Sequence, residues 1–205
     1  MLFGNPSIER LIAGAIALLV GLTFHEFSHA LLADRLGDRG PRAMGRLTLN
    51  PIPHIDPIGA LMLVVVGFGW AKPVMVNVYA LRDGPRGMAI VAAAGPLANM
   101  IVAIAFAVIL RGMGQFGIDD GFAFRLIELV VVLNVLLALF NLLPIPPLDG
   151  YNVLLSFLPP RNAMVVQRYA PFGAIVLLVL ILLPNSPLQL FLGLARPIAG
   201  VLTGA

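Results

Sequence analysis

The sequence predicts an all-α polytopic membrane protein with about five transmembrane helices and a small membrane-associated β or re-entrant element. Two observations carry the class. Of 205 residues, 60% are hydrophobic and only 11% charged, where a soluble domain carries roughly 25% charged residues. The apolar residues gather in uncharged runs of helix length, and mean hydropathy is +0.98. So few charges cannot wrap a water-soluble core, and a disordered or nucleic-acid-binding chain is excluded as well. A net charge of +3, from 13 Lys plus Arg against 10 Asp plus Glu, falls between the apolar runs and reads as topology signal. The absence of cysteine excludes disulfides, thiolate metal sites and cysteine nucleophiles.

Taken in order, Asn5-Pro6-Ser7 offers a helix start for a first span over residues 8 to 33. It is too long, and too rich in ionisable groups, for a cleaved signal peptide. Further spans are expected at 87 to 110 and 126 to 143, then at 169 to 183 and, more weakly, 188 to 202, where Pro184, Pro187 and Pro197 interrupt. Between the first two, residues 45 to 49 alternate apolar with polar, and Val74, Val76 and Val78 alternate with Met75, Asn77 and Tyr79. That is the period of strands. The apolar stretch 55 to 70 is short and holds Pro57, Gly59, Gly67 and Gly69, so residues 45 to 80 read as a partly embedded hairpin or re-entrant element. No repeat, low-complexity tract or linker divides the chain, and residues 1–205 read as one integral membrane domain. Arg35, Arg39, Arg42, Arg46, Lys72, Arg82, Arg86, Arg161 and Arg168 fall on one side and Arg10, Arg111 and Arg125 on the other. The positive-inside rule then places residues 34 to 86 in the cytoplasm and the N-terminus outside, provided 55 to 70 does not cross.

Two of the three histidines lie in His25-Glu26-Phe27-Ser28-His29, an H-E-x-x-H within the first span. Spacing i, i+4 stacks both imidazoles on one helix face, where they can share a Zn²⁺, and Glu26 stands close enough to take a proton from a water that the metal activates. A chance match would leave three costly ionisable groups inside a span without function. At about 1.5 Å per residue, His25 lies roughly 12 Å from the end of the span at Ala33, so the site is buried and water must be admitted. A hydrolytic zinc centre needs a third protein ligand and an open position. Asp149, at the end of the run from Asn141 through Pro144, Pro146 and Pro147 to Gly150, lies at matching depth. Asp149-Gly150 also reads as a simple turn after a proline-rich exit, although the prolines break helix hydrogen bonding and could hold a carboxylate against a metal.

With these residues the chain resembles the site-2 proteases, intramembrane zinc metalloproteases that cut transmembrane segments of other proteins. The likeness rests on His25-Glu26-x-x-His29 in a span together with Asn141-x-x-Pro144-x-x-Pro147-Leu148-Asp149-Gly150. Segments Gly95-Pro96-Leu97-Ala98-Asn99, Asn50-Pro51 and His54-Ile55-Asp56-Pro57-Ile58-Gly59 extend it over residues 20 to 155. The resemblance implies one Zn²⁺ held by His25, His29 and Asp149, with Glu26 as general base and later proton donor. It also implies that Asn141 contacts substrate or oxyanion, although an asparagine there equally suits an interhelical amide bond. PDZ and CBS domains known in other members are not expected here, because the 111 to 125 loop is short and the chain stops after its last apolar stretch.

His54 and Asp56 lie on the same side and read either as a hydrogen-bonded turn or as groups near the metal entrance. Gly95, Gly67 and Gly69 permit close backbone approach, with helix or turn packing as the default. Trp70 and Lys72 read as interfacial anchors. A helical substrate hides its carbonyls, so the segment carrying Val74, Val76 and Val78 is expected to offer an edge strand that receives it unwound. The expected partners are transmembrane protein substrates and the bilayer, in a prokaryotic plasma membrane with the active site toward the cytoplasm. A divalent-metal transporter would need several polar spans, and a catalytically silent scaffold would tolerate loss of Glu26 or a ligand; neither pattern is present.

Overall fold

The computed structural model describes residues 8–66 and 69–204; the expected helix start at 5 to 7 and Gly67 lie outside the described residues. Ten α-helices follow one another among them: α1 (Ile8–Leu36), α2 (Gly40–Ala43), α3 (Pro57–Val66), α4 (Pro85–Gln115), α5 (Phe122–Asn141), α6 (Asp149–Phe157), α7 (Pro160–Arg168), α8 (Gly173–Leu182), α9 (Pro187–Leu192) and α10 (Ala195–Thr203).

Helices α1, α4 and α5 form the frame, and each is long and apolar enough to cross a membrane. Lipid is as apolar as leucine, so such helices associate through close contact of small side chains and through buried polar bonds. Ala17 of α1 meets Val102 of α4 and Val130 of α5, and Ala103 and Ala107 pack with Val131, Val135 and, on α10, Ala195 and Ala199. The opposite face of α4 carries Leu97, Ile101, Ile104 and Val108, all exposed. Their spacing draws one stripe along the helix, as expected of a surface that meets acyl chains.

Two expectations about architecture need correction. Among the described residues three helices are long and apolar enough to cross a membrane, or four if the pair Pro160–Arg168 and Ala170–Leu182, bent by 43°, is counted as one span; five are not found there. The stretch expected at 188 to 202 is broken into α9 and α10, of six and nine residues, about 9 and 14 Å long, against a hydrocarbon core of about 30 Å. The β element is also absent: among the described residues the pairing outside helices is one isolated antiparallel bridge, Ile55 to Ala71. Residues 45 to 49 form a turn at Gly45 and bends at 47 to 49, with Arg46 buried and Leu49 exposed, Val78 lies in a 3-10 turn, and 57 to 66 is helix α3.

The two ends of the stretch 55 to 70 do meet. The bridge joins its two ends, the Lys72 N–H donates to the His54 carbonyl at 2.8 Å, and a Cβ on Gly59 would fall 2.2 Å from the Trp70 oxygen. Residues 69 to 72 therefore lie beside the start of α3. The Arg82 N–H donates to the Leu36 carbonyl at 2.9 Å, which sets the entry to α4 beside the exit of α1. After α5 the proline-rich segment turns, and Asp149 opens α6, which packs against α4.

Candidate metal centre

His25, Glu26 and His29 are all buried on α1. The helical repeat turns both imidazoles toward α4, with ring centroids 4.6 Å apart and planes at 89°. Asp149 arrives from the first turn of α6. Its Oδ2 lies 3.0 Å from His25 Nε2 and 3.3 Å from His29 Nε2. These three residues, 124 positions apart in sequence at the extremes, form the one group of potential metal-ligating side chains found among the described residues.

The remaining bonds decide the protonation of the rings. His29 Nδ1 is 2.7 Å from the Val91 carbonyl oxygen, which can only accept, so Nδ1 carries a proton, and in the neutral ring Nε2 is left with a lone pair. His25 Nδ1 is 2.7 Å from Asn99 Oδ1. That amide is oriented by its own Nδ2, which donates to the Gly21 carbonyl at 3.0 Å and to Asn134 Oδ1 at 2.9 Å. His25 is thus also a donor through Nδ1. In the neutral rings three lone-pair atoms, two Nε2 and the Asp149 Oδ2, converge, and Oδ2 is buried. Such an arrangement calls for a positive charge between them, a ring proton or a metal cation. A tetrahedral zinc at about 2.0–2.2 Å from N and O ligands sets them about 3.3 Å apart, and the two carboxylate-to-imidazole separations fit.

Two glycines make the convergence possible. A Cβ on Gly95 of α4 would stand 2.5 Å from His25 Cε1 and 2.6 Å from His29 Nε2, so α4 can approach the rings only with a bare backbone there. A Cβ on Gly150 would fall 2.2 Å from the Leu142 carbonyl oxygen, so the first turn of α6 lies on the end of α5 and carries Asp149 inward.

The other expected site residues are distributed as follows. Glu26 Oε2 accepts the Val74 N–H at 3.0 Å, which brings the segment read as a substrate strand to the carboxylate read as a base. Exposure alternates with period two from Val74 to Val78, and Val76 packs against Ala33, Leu81 and Val91. Residues 72 to 77 form neither helix nor strand, Asn77 is extended and Val78 enters the 3-10 turn; among the described residues no strand partners the segment. Its carbonyls are held by Arg46, buried to 5% exposure, which donates to the oxygens of Pro53, Lys72 and Pro73 at 2.6, 3.1 and 3.3 Å. Asp38 holds the far end by accepting the Asn77 N–H at 2.7 Å. An open recess of about 450 Å³ lies beside it, lined by Met44, Arg46, Lys72, Pro73 and Met75. Asn141 ends α5, and its amide donates to the Leu137 carbonyl at 3.0 Å. His54 is engaged through Nε2 with the Thr48 carbonyl at 2.9 Å, and Asp56 accepts the Gly59 N–H at 2.8 Å; both serve the turn into α3.

The roles of Asn99, Asn134 and the Val91 carbonyl were not legible in the sequence. An asparagine in an apolar run signals a buried polar bond, but not its partner 74 residues away.

An H-E-x-x-H and a distant aspartate brought together inside three apolar helices define a membrane metallohydrolase. Comparison with known proteins narrows this. The profile of peptidase family M50 matches residues 117–184. Curated relatives carrying the name "Putative zinc metalloprotease" include YwhC of Bacillus subtilis, 39% identical over 174 residues, 82% of this chain and 80% of that one. Rip2 of Mycolicibacterium smegmatis is 34% identical over 81% of this chain and 65% of its own, and MJ0611 of Methanocaldococcus jannaschii is 30% identical over 74% of each. No solved structure matches. The chain belongs to peptidase family M50, the site-2 protease family.

Proposed function

We propose that this zinc-dependent metalloprotease hydrolyses peptide bonds within or beside the transmembrane segments of other proteins, at a centre open to the cytoplasmic side of a prokaryotic plasma membrane. One observation carries the reading: the convergence of His25, His29 and Asp149, next to Glu26, inside a bundle of membrane-length helices. His25, His29 and Asp149 hold the zinc. When bound there, zinc supplies Lewis acidity toward a scissile carbonyl and toward water.

The protein's own groups do the rest. Glu26 takes the proton from the attacking water and returns it to the leaving amine, and the Val74 N–H aims its carboxylate by holding Oε2. A substrate entering as an extended strand pairs with the 74-to-76 edge, since in extended backbone the amides of alternate residues share an edge. Among the described residues no protein group takes the Val76 amide. Asn141 contacts the oxyanion after leaving the Leu137 carbonyl.

The test is metal content and proteolysis measured side by side. Wild-type protein should carry about one zinc per chain. Glu26→Gln should keep the zinc and lose cleavage of a single-span substrate by at least about 100-fold, the amide being a very poor base. Cleavage at the wild-type rate by Glu26→Gln would overturn the reading.

A further inference from the structure

The buried polar atoms around the cluster form a chain with one direction. Asn134 Nδ2 donates to the Val130 carbonyl at 2.8 Å, which turns Asn134 Oδ1 toward Asn99. Asn99 Nδ2 donates to that oxygen and to the Gly21 carbonyl, which turns Asn99 Oδ1 toward His25 Nδ1. Both asparagines are 0% exposed. Their side chains link all three framework helices, α5 through Asn134, α4 through Asn99 and α1 through Gly21 and His25.

Neither amide can be reversed alone. Flipping Asn134 would set its oxygen against the Val130 oxygen and its NH₂ against the Asn99 NH₂; flipping Asn99 would set its NH₂ against a protonated His25 Nδ1. Backbone carbonyls cannot donate, so Val130 and Gly21 fix the polarity of the whole chain. Two neutral amides do this without placing a further charge inside a span, where a carboxylate in the same role would be costly.

We infer that Asn99 and Asn134 are positioning residues for the metal: the helix α5 carbonyl of Val130 sets, through Asn134 and then Asn99, the tautomer and ring orientation that leave His25 Nε2 free to ligate. Asn134 touches no ligand and acts two bonds removed. His29 is fixed independently by Val91, so the dependence falls on His25 alone. The inference rests on the zinc site proposed above.

Metal affinity of the purified full chain in detergent, measured by chelator competition, tests it with zinc itself, and the visible spectrum of Co²⁺-loaded protein reports ligand geometry. Outer partners of metal-bound histidines are worth about 10–100-fold in affinity. Asn99→Leu, close in size and without an acceptor, should weaken zinc by that factor, and Asn134→Leu by about 10-fold, with an altered cobalt spectrum in each. The double variant should bind no worse than Asn99→Leu, because both act through one chain of bonds. Asn134→Asp should rescue to within about threefold: its carboxyl, kept neutral by burial, offers one O–H to Val130 and one oxygen to Asn99. Wild-type affinity and spectrum in Asn134→Leu, independent multiplicative losses in the double variant, or equal losses in the leucine and aspartate variants would overturn it. If Asn134→Leu does not fold, the aspartate variant decides, a tenfold loss refuting the inference. Wild-type protein that binds no zinc would refute the site itself, whereas normal wild-type binding with an indifferent Asn134 refutes only this dependence.

Discussion

Replacing Gly95 by alanine adds one methyl group where the histidine rings already stand. The new Cβ would lie 2.5 Å from His25 Cε1, 2.6 Å from His29 Nε2 and 2.7 Å from His25 Nδ1, whereas ordinary contact begins at 3.4 Å. The rings or α4 must retreat by about 0.7–0.9 Å, several times the roughly 0.2 Å tolerance of a zinc–ligand distance. A loss of at least about 100-fold in zinc affinity follows, near 2.8 kcal/mol. The fold should survive, since alanine in a helix interior is favoured over glycine by about 1 kcal/mol and the helix frame does not depend on the rings. Zinc per chain, from elemental analysis of a monodisperse peak, should fall toward zero on dialysis against a mild chelator that leaves wild type loaded, with helical circular dichroism unchanged. A Gly95→Ala protein that keeps a full equivalent of zinc would refute the steric argument and return Gly95 to ordinary helix packing.

Asp149→Ala should lose most of its zinc in the same assay, and unchanged content would remove Asp149 from the ligand set. Val76→Pro deletes the amide two residues beyond the one that Glu26 holds, so it should slow cleavage by tenfold or more with zinc retained, while Val76→Ala stays near wild type; equal activity in both would discard strand pairing at this edge. Arg46→Met leaves the Pro53, Lys72 and Pro73 carbonyls without their donor. Proteolytic nicking near residues 72 to 75 should accelerate several-fold, and an unchanged pattern would show that Arg46 does not hold the segment. Cysteines placed singly at Arg42 and Arg82 should react with an impermeant maleimide from the same side of the membrane, because residue 82 is hydrogen-bonded to the end of α1; labelling from opposite sides would contradict the re-entrant course expected of 55 to 70.

The histidine pair of the candidate metal centre was legible because helix geometry converts His25-x-x-x-His29 directly into two rings on one face, and because three ionisable groups inside a span demand a purpose. Asp149 was reachable by depth along the third span. The strand at 74 to 78 was misread in an instructive way. Its period-two alternation does mark which side chains turn inward, but side chains rather than a second strand satisfy the backbone, Glu26 and Asp38 taking amides and Arg46 taking carbonyls. Periodicity reports which face is buried and is silent about what pairs with the edge. The alternation at 45 to 49 failed outright, because Arg46 turned inward as a buried donor where the pattern placed a polar face. Asn99 and Gly95 stayed obscure for a related reason: an amide and a bare backbone gain their meaning from the helix set against them.

The central claim is that peptide bonds are cut inside or beside an apolar span by a centre built from His25, His29, Asp149 and Glu26. Mass-spectrometric mapping of products from single-span peptides, incubated with the purified zinc-loaded protein in lipid vesicles, addresses it most directly. Cleavage within the apolar span or a few residues from its end, absent in Glu26→Gln and Asp149→Ala, is the predicted result. Cuts confined to soluble tails far from the span, or the same products from the Glu26→Gln protein, would contradict it.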